Sequence, residues 1–486
     1  MTERFVVVGG DAAGMSAAGK AKRDAPDIDV VVLERGDWVS YGACGLPYYV
    51  KGEIPDLEDL VVVRPEKFVE ERGIDLRRHH EVVAIDREAE RVTVDASDDP
   101  EATDDYQLGY DDLLVATGGR AALPGVPGTN LDGVFAVRNL ETGRALRNYV
   151  LHEDTPDAPA IQSGYGAEFR SYLTEADPEA VAVLGANKIG VELAEAFDAR
   201  GFEVHVFEEG DRVLPAFGPD AAAVVEDHLR EKGVVLHLGA SVERLAGDGR
   251  VTAVETADGS VAVDAAVADL GVEPNVEVAA EAGIELGSTG AIATDEYGRT
   301  NDPDVYAAGD CAEKRHLLTG ETVEWPFALA ANRAGRAVGR TVAGVPTPVG
   351  GIVGTGVMKA FDLQVARTGL DGPEAREAGF DPVSTTVTTL TRAHYYPGWS
   401  RMVVHATADR ESGRLLGATM VGKEGAAHRI NAVATALHAG MTVEEVGHLD
   451  FGYAPPFGPV WDPVLTAAKA LGEELQAAEG DDSVRR

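Results

Sequence analysis

The sequence predicts an α/β fold that contains two Rossmann-like dinucleotide-binding units. Each unit reads as a strand, a glycine-containing turn, a helix and a second strand that ends on an acidic residue. The first unit opens with the strand Phe5–Val8 and the second with the strand Val181–Leu184. One such unit is a weak signal, because glycine turns are common. Two units in one chain predict two bound dinucleotides.

The first unit places its turn at residues 9–14 and its acidic residue at Glu34. Gly9 permits a tight turn, Gly14 allows the helix to pack closely on the strand, and the helix N-terminus offers free N–H groups to a pyrophosphate. Glu34 lies where a carboxylate can accept from ribose hydroxyls. Asp11 replaces the middle glycine of the G-x-G-x-x-G pattern. The residues predicted to bind the first dinucleotide are Gly9, Gly10, Ala13, Gly14 and Glu34.

The second unit repeats this arrangement with a turn at residues 185–190 and an acidic residue at Glu208. Here Asn187 replaces the middle glycine. An acid at this strand end favours an unphosphorylated ribose, and therefore NADH over NADPH. The alternative is that Glu208 is one of the many surface carboxylates of an acidic chain. The residues predicted to bind the second dinucleotide are Gly185, Ile189, Gly190 and Glu208.

Two further apolar segments, between and after these units, predict buried strands. The strand Tyr110–Thr117 leads into two glycines, and the strand Asp304–Ala308 leads into Gly309 and Asp310. Open α/β sheets hold ligands at the carboxyl ends of their strands, so Asp310 is a candidate ligand-binding residue. A turn or a helix cap is the other interpretation of Asp310.

The charge is strongly acidic: 43 Lys and Arg oppose 82 Asp and Glu, which gives a net charge of −39. Such a surface repels phosphate backbones, so the sequence argues against a nucleic-acid partner. The acid excess is spread along the whole chain, as in halophilic proteins that need salt to screen their own repulsion. A mildly acidic mesophilic surface is the alternative.

The ends and the cysteines predict a soluble, cytoplasmic protein. Residues 1–4 run directly into the first strand without a signal peptide, and no apolar run approaches the roughly 20 residues that span a bilayer. The two cysteines, Cys44 and Cys311, lie far apart and form no C-x-x-C pattern. The sequence therefore predicts neither a disulfide scaffold nor a metal site.

The segment Ser40–Tyr49, with the sequence SYGACGLPYY, resembles the active-site loop of a known family. That family is the single-cysteine pyridine nucleotide-disulfide oxidoreductases, which include coenzyme A-disulfide reductase, NADH oxidase and NADH peroxidase. The resemblance extends over nearly the whole chain. Its other segments are residues 112–118, 300–311, 331–333 and 354–463.

The resemblance implies a homodimer whose chains each have three domains. A discontinuous FAD-binding domain is expected at 1–133 and 272–345, with an NAD(P)-binding domain at 134–271 inserted into it. An α+β dimerisation domain is expected at 346–472, followed by a flexible tail at 473–486. The expected cofactors are FAD and either NADH or NADPH.

The resemblance also assigns residues to the flavin. Asp310 is expected to hold the ribityl chain of FAD, and Cys44 is expected to lie against the isoalloxazine ring. The FAD-binding residues that the resemblance adds to the first turn are Ser40, Ala116, Thr117, Gly118 and Asp310.

Cys44 is the predicted redox-active residue. It precedes Gly45-Leu46-Pro47 at an expected helix start, where the helix dipole favours the thiolate. Electrons are expected to pass from the nicotinamide to the flavin, from the flavin to a disulfide or sulfenate on Cys44, and from its thiolate to the acceptor. The alternative for Cys44 is a buried structural cysteine, and this is the favoured interpretation of Cys311.

Two features favour the coenzyme A-disulfide reductase branch. The oxidases and peroxidases carry a histidine in the first turn, whereas this turn has none. The segments 393–398 and 453–457 look like the tyrosine-bearing segments through which the reductases reach the partner's active site. Tyr396 and Tyr453 are therefore predicted to be catalytic, with interface packing as the alternative. Packing is the favoured role of Tyr395 and Trp461.

The predicted activity is NAD(P)H-dependent reduction of coenzyme A disulfide or of a related small disulfide or persulfide. Arg23, Arg64 and Arg429 are candidates for a basic patch that binds such an anionic substrate. One alternative is an NADH oxidase that reduces oxygen at the flavin. Another is a flavoprotein redox sensor with little turnover, because Asn187 and Lys188 depart from the family's second turn. The polar stretch 152–179 is predicted to be a surface excursion.

Overall fold

The computed structural model describes residues 3–99, 105–151 and 179–485 of the 486-residue chain. The predicted surface excursion at 152–179 lies, apart from residue 179, outside the described residues. Within the described ranges, no helix is long and apolar enough to cross a membrane.

The first two thirds of the described chain contain two parallel sheets with helices and several smaller antiparallel sheets, and the remainder forms a separate antiparallel sheet with its own helices. The strands are β1 (Arg4–Val8), β2 (Asp29–Glu34), β3 (Asp75–Arg78), β4 (Glu81–Asp86), β5 (Arg91–Asp95), β6 (Tyr106–Gly109), β7 (Asp112–Val115), β8 (Gly119–Ala121), β9 (Val134–Ala136), β10 (Ala180–Leu184), β11 (Glu203–Glu208), β12 (Val235–Leu238), β13 (Val242–Asp248), β14 (Arg250–Thr256), β15 (Gly259–Ala262), β16 (Ala265–Ala268), β17 (Val272–Pro274), β18 (Val305–Ala307), β19 (Lys314–Arg315), β20 (Thr322–Val323), β21 (Gly356–Ala360), β22 (Leu363–Gly369), β23 (Pro382–Leu390), β24 (Arg401–Asp409) and β25 (Leu415–Gly422). The helices are α1 (Ala12–Asp24), α2 (Leu46–Lys51), α3 (Leu140–Leu151), α4 (Lys188–Asp198), α5 (Pro219–Glu231), α6 (Glu277–Glu281), α7 (Ala328–Val342), α8 (Gly372–Glu377), α9 (Ala426–Ala439), α10 (Val443–Gly447) and α11 (Pro463–Arg485).

The first sheet is parallel and has the strand order β18–β7–β1–β2–β3. Phe5–Val8 in β1 is an unbroken apolar run, because helices and a small sheet cover both of its faces. Helix α1 packs tightly against α7 from the later part of the chain. A Cβ at Gly335 would overlap the carbonyl oxygen of Ala13, so the close approach requires glycine there. The first glycine turn is thus braced by residues more than 300 positions away in sequence.

The second sheet is also parallel, with the order β12–β11–β10–β16–β9. Its central strand β10 pairs with β11 on one side and with β16 on the other. Helix α4 follows β10 and buries Val191, Leu193 and Phe197 against the sheet. This unit repeats the architecture of the first sheet, as the sequence predicts.

The C-terminal part forms an antiparallel sheet with the order β21–β22–β25–β24–β23. Every residue of β25 is buried. Leu416 and Met420 share a core with helices α9, α10 and α11, whereas Val421 packs in the core that contains α4. Residues 473–485, predicted to be a flexible tail, continue helix α11. The α/β fold class with an additional α+β C-terminal unit is confirmed.

The predicted element boundaries differ from the observed ones by a few residues. The strand predicted at Tyr110–Thr117 is β7 (Asp112–Val115), and the strand predicted at Asp304–Ala308 is β18 (Val305–Ala307). Beyond these strands the backbone N–H groups of Ala116 and Ala308 continue the ladder, and Thr117, Gly309 and Asp310 then line a cleft.

Candidate functional site

A cleft with a volume of ≈ 1560 Å³ opens at the carboxyl ends of β1, β2 and β7. It exceeds the roughly 300–1,000 Å³ of most small-ligand pockets, so it has room for an extended dinucleotide. The predicted residues that line it are Gly9, Gly10, Ala13, Glu34, Ser40, Cys44, Ala116, Thr117, Gly118 and Asp310. Gly14 lies behind this wall, where its role is to bring α1 close to β1.

The first glycine turn has the geometry that its sequence predicts. Gly9 adopts φ 111°, and a Cβ there would overlap the carbonyl oxygen of Ala116. The carboxylate of Glu34 accepts the backbone N–H groups of Gly10 at 2.7 Å and Gly36 at 2.8 Å. Burial raises the pKa of Glu34, while these two hydrogen bonds lower it. Glu34 thus closes the turn and faces the cleft at the position expected for a ribose.

The second glycine turn repeats this geometry. Glu208 accepts the backbone N–H groups of Ala186 and Gly210, each at 2.8 Å. The N–H of Gly190 donates to Asp269 at 2.6 Å. Burial raises the pKa of Asp269 to about 6. Asp269 was not predicted, although an acid directly after the buried strand β16 is a signal that could have identified it.

The second turn also contains Asn187, Lys188 and Ile189, and each of these side chains has a different environment. Ile189 packs against the main hydrophobic core. Asn187 donates its side-chain amide to the carbonyl of Asp269. The ammonium group of Lys188 lies 4.0 Å from the ring centre of Phe327, just before α7. The turn therefore retains the backbone shape of a dinucleotide site despite its changed side chains.

Cys44 lies in a short 3₁₀ turn, Ala43–Gly45, and helix α2 begins two residues later at Leu46. Its side chain is exposed and lines the cleft, whereas Cys311 is fully buried. The structure thus places Cys44 among the residues predicted to bind FAD. Buried packing is the observed environment of Cys311.

Asp310 follows β18 at the other wall of the cleft. Its carboxylate forms an ion pair with Arg138 at 2.5 Å, and Arg138 also donates to the carbonyl of Gly119 at 2.9 Å. Lys314 donates to the carbonyl of Gly309 at 2.6 Å, and burial lowers the pKa of Lys314. Arg138 and Lys314 were not predicted; the partner of Arg138 lies 172 positions away, whereas Lys314 lies only five positions from Gly309.

The strand end at residues 116–118 is tied to a distant segment. The hydroxyl of Thr117 donates to the carbonyl of Asn275 at 2.6 Å, and the Asn275 amide returns a hydrogen bond to the Thr117 carbonyl at 2.9 Å. Gly118 adopts φ 65°, and no atom lies within 4 Å of a Cβ built on it. Space above Gly118 is therefore open for a planar ligand.

The cleft contains buried polar atoms without partners, which fits an extended polar cofactor such as FAD. Trp38 Nε1, His79 Nδ1 and Arg144 Nε are buried and have no hydrogen-bond partner among the described residues. All three residues line the cleft. Buried polar groups are rarely left without a partner, so a bound ligand would complete their hydrogen bonds.

The predicted tyrosines lie outside the cleft of their own chain. The phenol oxygens of Tyr395 and Tyr453 are 2.7 Å apart. Tyr396 lies beside Arg392. Tyr453 is thus paired with Tyr395, not with Tyr396. Tyr395 and Trp461, for which packing was favoured, are 63% and 60% exposed in the single chain.

The family models match two large parts of the chain. Residues 3–335 match the model described as pyridine nucleotide-disulphide oxidoreductase, and residues 357–463 match the dimerisation domain of that family. The chain therefore belongs to the pyridine nucleotide-disulphide oxidoreductases. The predicted family is confirmed.

Three similar proteins show which activities occur among the relatives of this chain. The chain is 37% identical over 473 residues to an NAD(P)H coenzyme A polysulfide/persulfide reductase from Pyrococcus horikoshii, covering 97% of this chain and 99% of that one. It is 32% identical to an NADH oxidase from Methanocaldococcus jannaschii, with 97% and 99% covered. The solved structure of an NAD-dependent persulfide reductase from A. fulgidus has a TM-score of 0.87 and 35% identity, covering 98% of this chain and 84% of that one.

Proposed function

We propose that this chain uses NAD(P)H to reduce coenzyme A disulfide, or a related small disulfide or persulfide, through FAD and Cys44. The observation that carries the proposal is the exposed thiol of Cys44 in the same cleft as the first glycine turn and Asp310. A thiolate must be accessible to exchange with an external disulfide. The similarity to coenzyme A persulfide and disulfide reductases supports this substrate class.

FAD and NAD(P)H are the cofactors. Bound FAD supplies the step between two-electron hydride chemistry and thiol chemistry. The first turn and Glu34 would bind the adenosine half of FAD, with Asp310 and Thr117 near its other half. Arg138 would hold the Asp310 carboxylate in position. The second turn would bind the nicotinamide cofactor, and Glu208 supports NADH as the preferred form because it offers a carboxylate to the ribose.

A cluster of arginines supports an anionic substrate. Arg23, Arg72 and Arg336 line one end of the cleft. Burial, and then the charges of Arg72 and Arg336, lower the pKa of Arg23. Asp24, whose charge opposes this shift, already pairs with Lys20 and Arg340. Within the described residues none of the three cluster arginines forms a salt bridge with a carboxylate, which leaves them available to phosphate groups.

The other two arginine candidates have different surroundings. Arg429 forms an ion pair with Asp462 at 2.7 Å and donates to the carbonyl of Phe457. Arg64 lies in a small separate depression beside the cleft. Arg23 is therefore the candidate that the geometry supports.

A homodimer would complete the site. The C-terminal unit matches a dimerisation domain, and its aromatic residues form an exposed group that a partner would cover. These residues are Tyr395, Tyr396, Trp399, Tyr453, Phe457 and Trp461. We propose that Tyr396 and Tyr453 reach the active site of the partner, where a phenol can protonate the leaving thiol. The Tyr395 hydroxyl supports this role by orienting Tyr453.

We also propose boundaries for the three domains and a cellular compartment. The FAD-binding domain is proposed at 1–133 and 272–345, the NAD(P)-binding domain at 134–271 and the dimerisation domain at 346–472. Both cysteines are free thiols, which supports a reducing compartment such as the cytoplasm.

An NADH oxidase is the second candidate, supported by the similarity to the Methanocaldococcus enzyme. Substitution of Cys44 distinguishes the two. Cys44→Ser is expected to lower kcat for coenzyme A disulfide by at least about 100-fold, because serine cannot form a mixed disulfide. Oxygen reduction at the flavin would survive the same change.

The matched control is Cys311→Ala, which removes a buried thiol outside the cleft. This variant is expected to retain most of the disulfide reductase activity at equal flavin content. Equal disulfide reduction by Cys44→Ser and the wild type would refute the proposal.

A further inference from the structure

Asp11 does not perform the usual task of its position. It is the residue before helix α1, where an aspartate ordinarily accepts an N–H from the first turn of the helix. Here its side chain makes no capping hydrogen bond. Its carboxylate instead accepts the backbone N–H of Tyr41 at 3.0 Å, 30 residues further along the chain. The first N–H groups of α1 remain available to a ligand.

Tyr41 belongs to the loop that carries Cys44. The preceding N–H, that of Ser40, donates to the carbonyl of Gly10 at 2.9 Å. Ser40 adopts φ 53°, a conformation that a non-glycine residue holds only when its surroundings enforce it. Two successive N–H groups of the loop are thus bound by the glycine turn, one by a backbone carbonyl and the other by the Asp11 carboxylate.

The carboxylate at this position has an electrostatic cost. Burial, more than the opposing hydrogen bond from Tyr41, raises the pKa of Asp11 to about 6, and the charge of Glu34 adds to the increase. The turn also faces the expected pyrophosphate, which carries negative charge. A glycine, as in the G-x-G-x-x-G pattern, would avoid this cost. A side-chain contact that glycine cannot provide, such as the hydrogen bond from the Tyr41 N–H, would offset it.

We propose that Asp11 is a positioning residue that ties the Cys44 loop to the dinucleotide-binding turn. Through the Tyr41 N–H, it fixes the distance between the turn that binds FAD and the thiol three residues further on. The functional meaning of this role rests on the proposed function of Cys44.

The test compares Asp11→Gly with Asp11→Asn in flavin-loaded protein. The readout is the rate of Cys44 alkylation by iodoacetamide, followed by mass spectrometry, together with the flavin content. Cys311 is fully buried, so it does not compete for the reagent. Asparagine retains a side-chain oxygen that accepts from Tyr41, whereas glycine removes the acceptor without obstructing the turn.

In Asp11→Gly, Cys44 is expected to be alkylated about fivefold faster than in the wild type, because loss of one charge-assisted hydrogen bond loosens the loop. In Asp11→Asn, the alkylation rate of Cys44 is expected to remain within about twofold of the wild type, because asparagine retains an acceptor for the Tyr41 N–H. An unchanged rate in Asp11→Gly would overturn the proposal, as would equal acceleration in both variants. Alkylation requires no turnover, so this result stands independently of whether Cys44 carries out disulfide reduction.

Discussion

At the scale of single residues, some carboxylates in this molecule organise the backbone through hydrogen bonds, and others have a pKa that burial raises. Glu34 and Glu208 each bind two backbone N–H groups and so define the two dinucleotide turns. Asp112 is different, because it lies at the start of β7 near other acids. Burial, and then the charges of Asp304, Glu3 and Asp111, raise its pKa to about 6.

The raised pKa of Asp112 predicts a pH-dependent effect on stability. Its ordinary pKa is 3.8, so the folded state disfavours the carboxylate. The resulting cost is absent well below pH 3.8, grows as the pH rises towards 6 and is complete above it. Asp112→Asn is therefore expected to raise the free energy of unfolding at neutral pH and to have little effect near pH 3.8.

Urea unfolding of Asp112→Asn and the wild type at the two pH values checks this expectation. Asp227→Asn is a suitable control, because the Asp227 side chain is 82% exposed. A stabilisation of Asp112→Asn that is the same at both pH values would contradict the argument.

Local sequence determines the turn residues, whereas tertiary structure determines their partners. Gly9 and Glu34 were predictable because strand, turn and acid follow one another within one βαβ unit. The ion pair of Arg138 with Asp310 joins residues 172 positions apart, and no local pattern encodes it. The pairing of Tyr395 with Tyr453 similarly spans 58 positions. Prediction from one sequence therefore identified residues that line the cleft but missed those that hold them in place.

At the scale of elements, one buried carboxylate links three parts of the fold. Glu195 on α4 forms ion pairs with Lys51 at the end of α2 at 2.7 Å and with Lys359 on β21 at 2.5 Å. It also accepts the backbone N–H of Phe361 at 2.7 Å. Its side chain is only 5% exposed. The helix that follows Cys44 is thus fastened to the second dinucleotide unit and to the C-terminal sheet.

Glu195→Ala is expected to lower the free energy of unfolding by about 3 kcal/mol, because two lysines and a backbone N–H lose their shared acceptor. Urea denaturation measures this loss. Glu53→Ala is the matched control: Glu53 also binds Lys51, but its side chain is 49% exposed, and its loss is expected to have a much smaller effect. Equal effects of the two substitutions would show that Glu195 is not the central acceptor.

At the scale of the whole molecule, the net charge of −39 opposes a compact fold, because like charges on the surface repel one another. The halophilic character inferred from the composition remains a prediction. At low salt, mutual repulsion of surface carboxylates should destabilise the folded state, since the screening length is about 10 Å at 0.1 M salt and about 3 Å at 1 M.

Tm is therefore expected to rise steeply between about 0.1 M and about 1 M potassium chloride and to change little at higher concentrations. Thermal unfolding across this range checks the expectation, with sucrose at matched osmolality as the control for solute exclusion. A Tm that is independent of salt would contradict salt adaptation.

The α/β fold class could be predicted from the sequence because each of the two parallel sheets is built around the same repeated unit. The repeated unit occurs twice with the same order of strand, glycine turn, helix and acid, at β1 and at β10. The contribution of β18 to the first sheet depends on its pairing with β7, far back in the chain. The family resemblance, and not periodicity, predicted this discontinuous arrangement.

Anaerobic titration with NADH, followed spectrally, tests the central claim most directly when coenzyme A disulfide is then added. The account predicts that NADH reduces the flavin and that the disulfide reoxidises it in the wild type but not in Cys44→Ser. Reoxidation by the disulfide at the same rate in Cys44→Ser, or reoxidation of the wild type only after air is admitted, would contradict it.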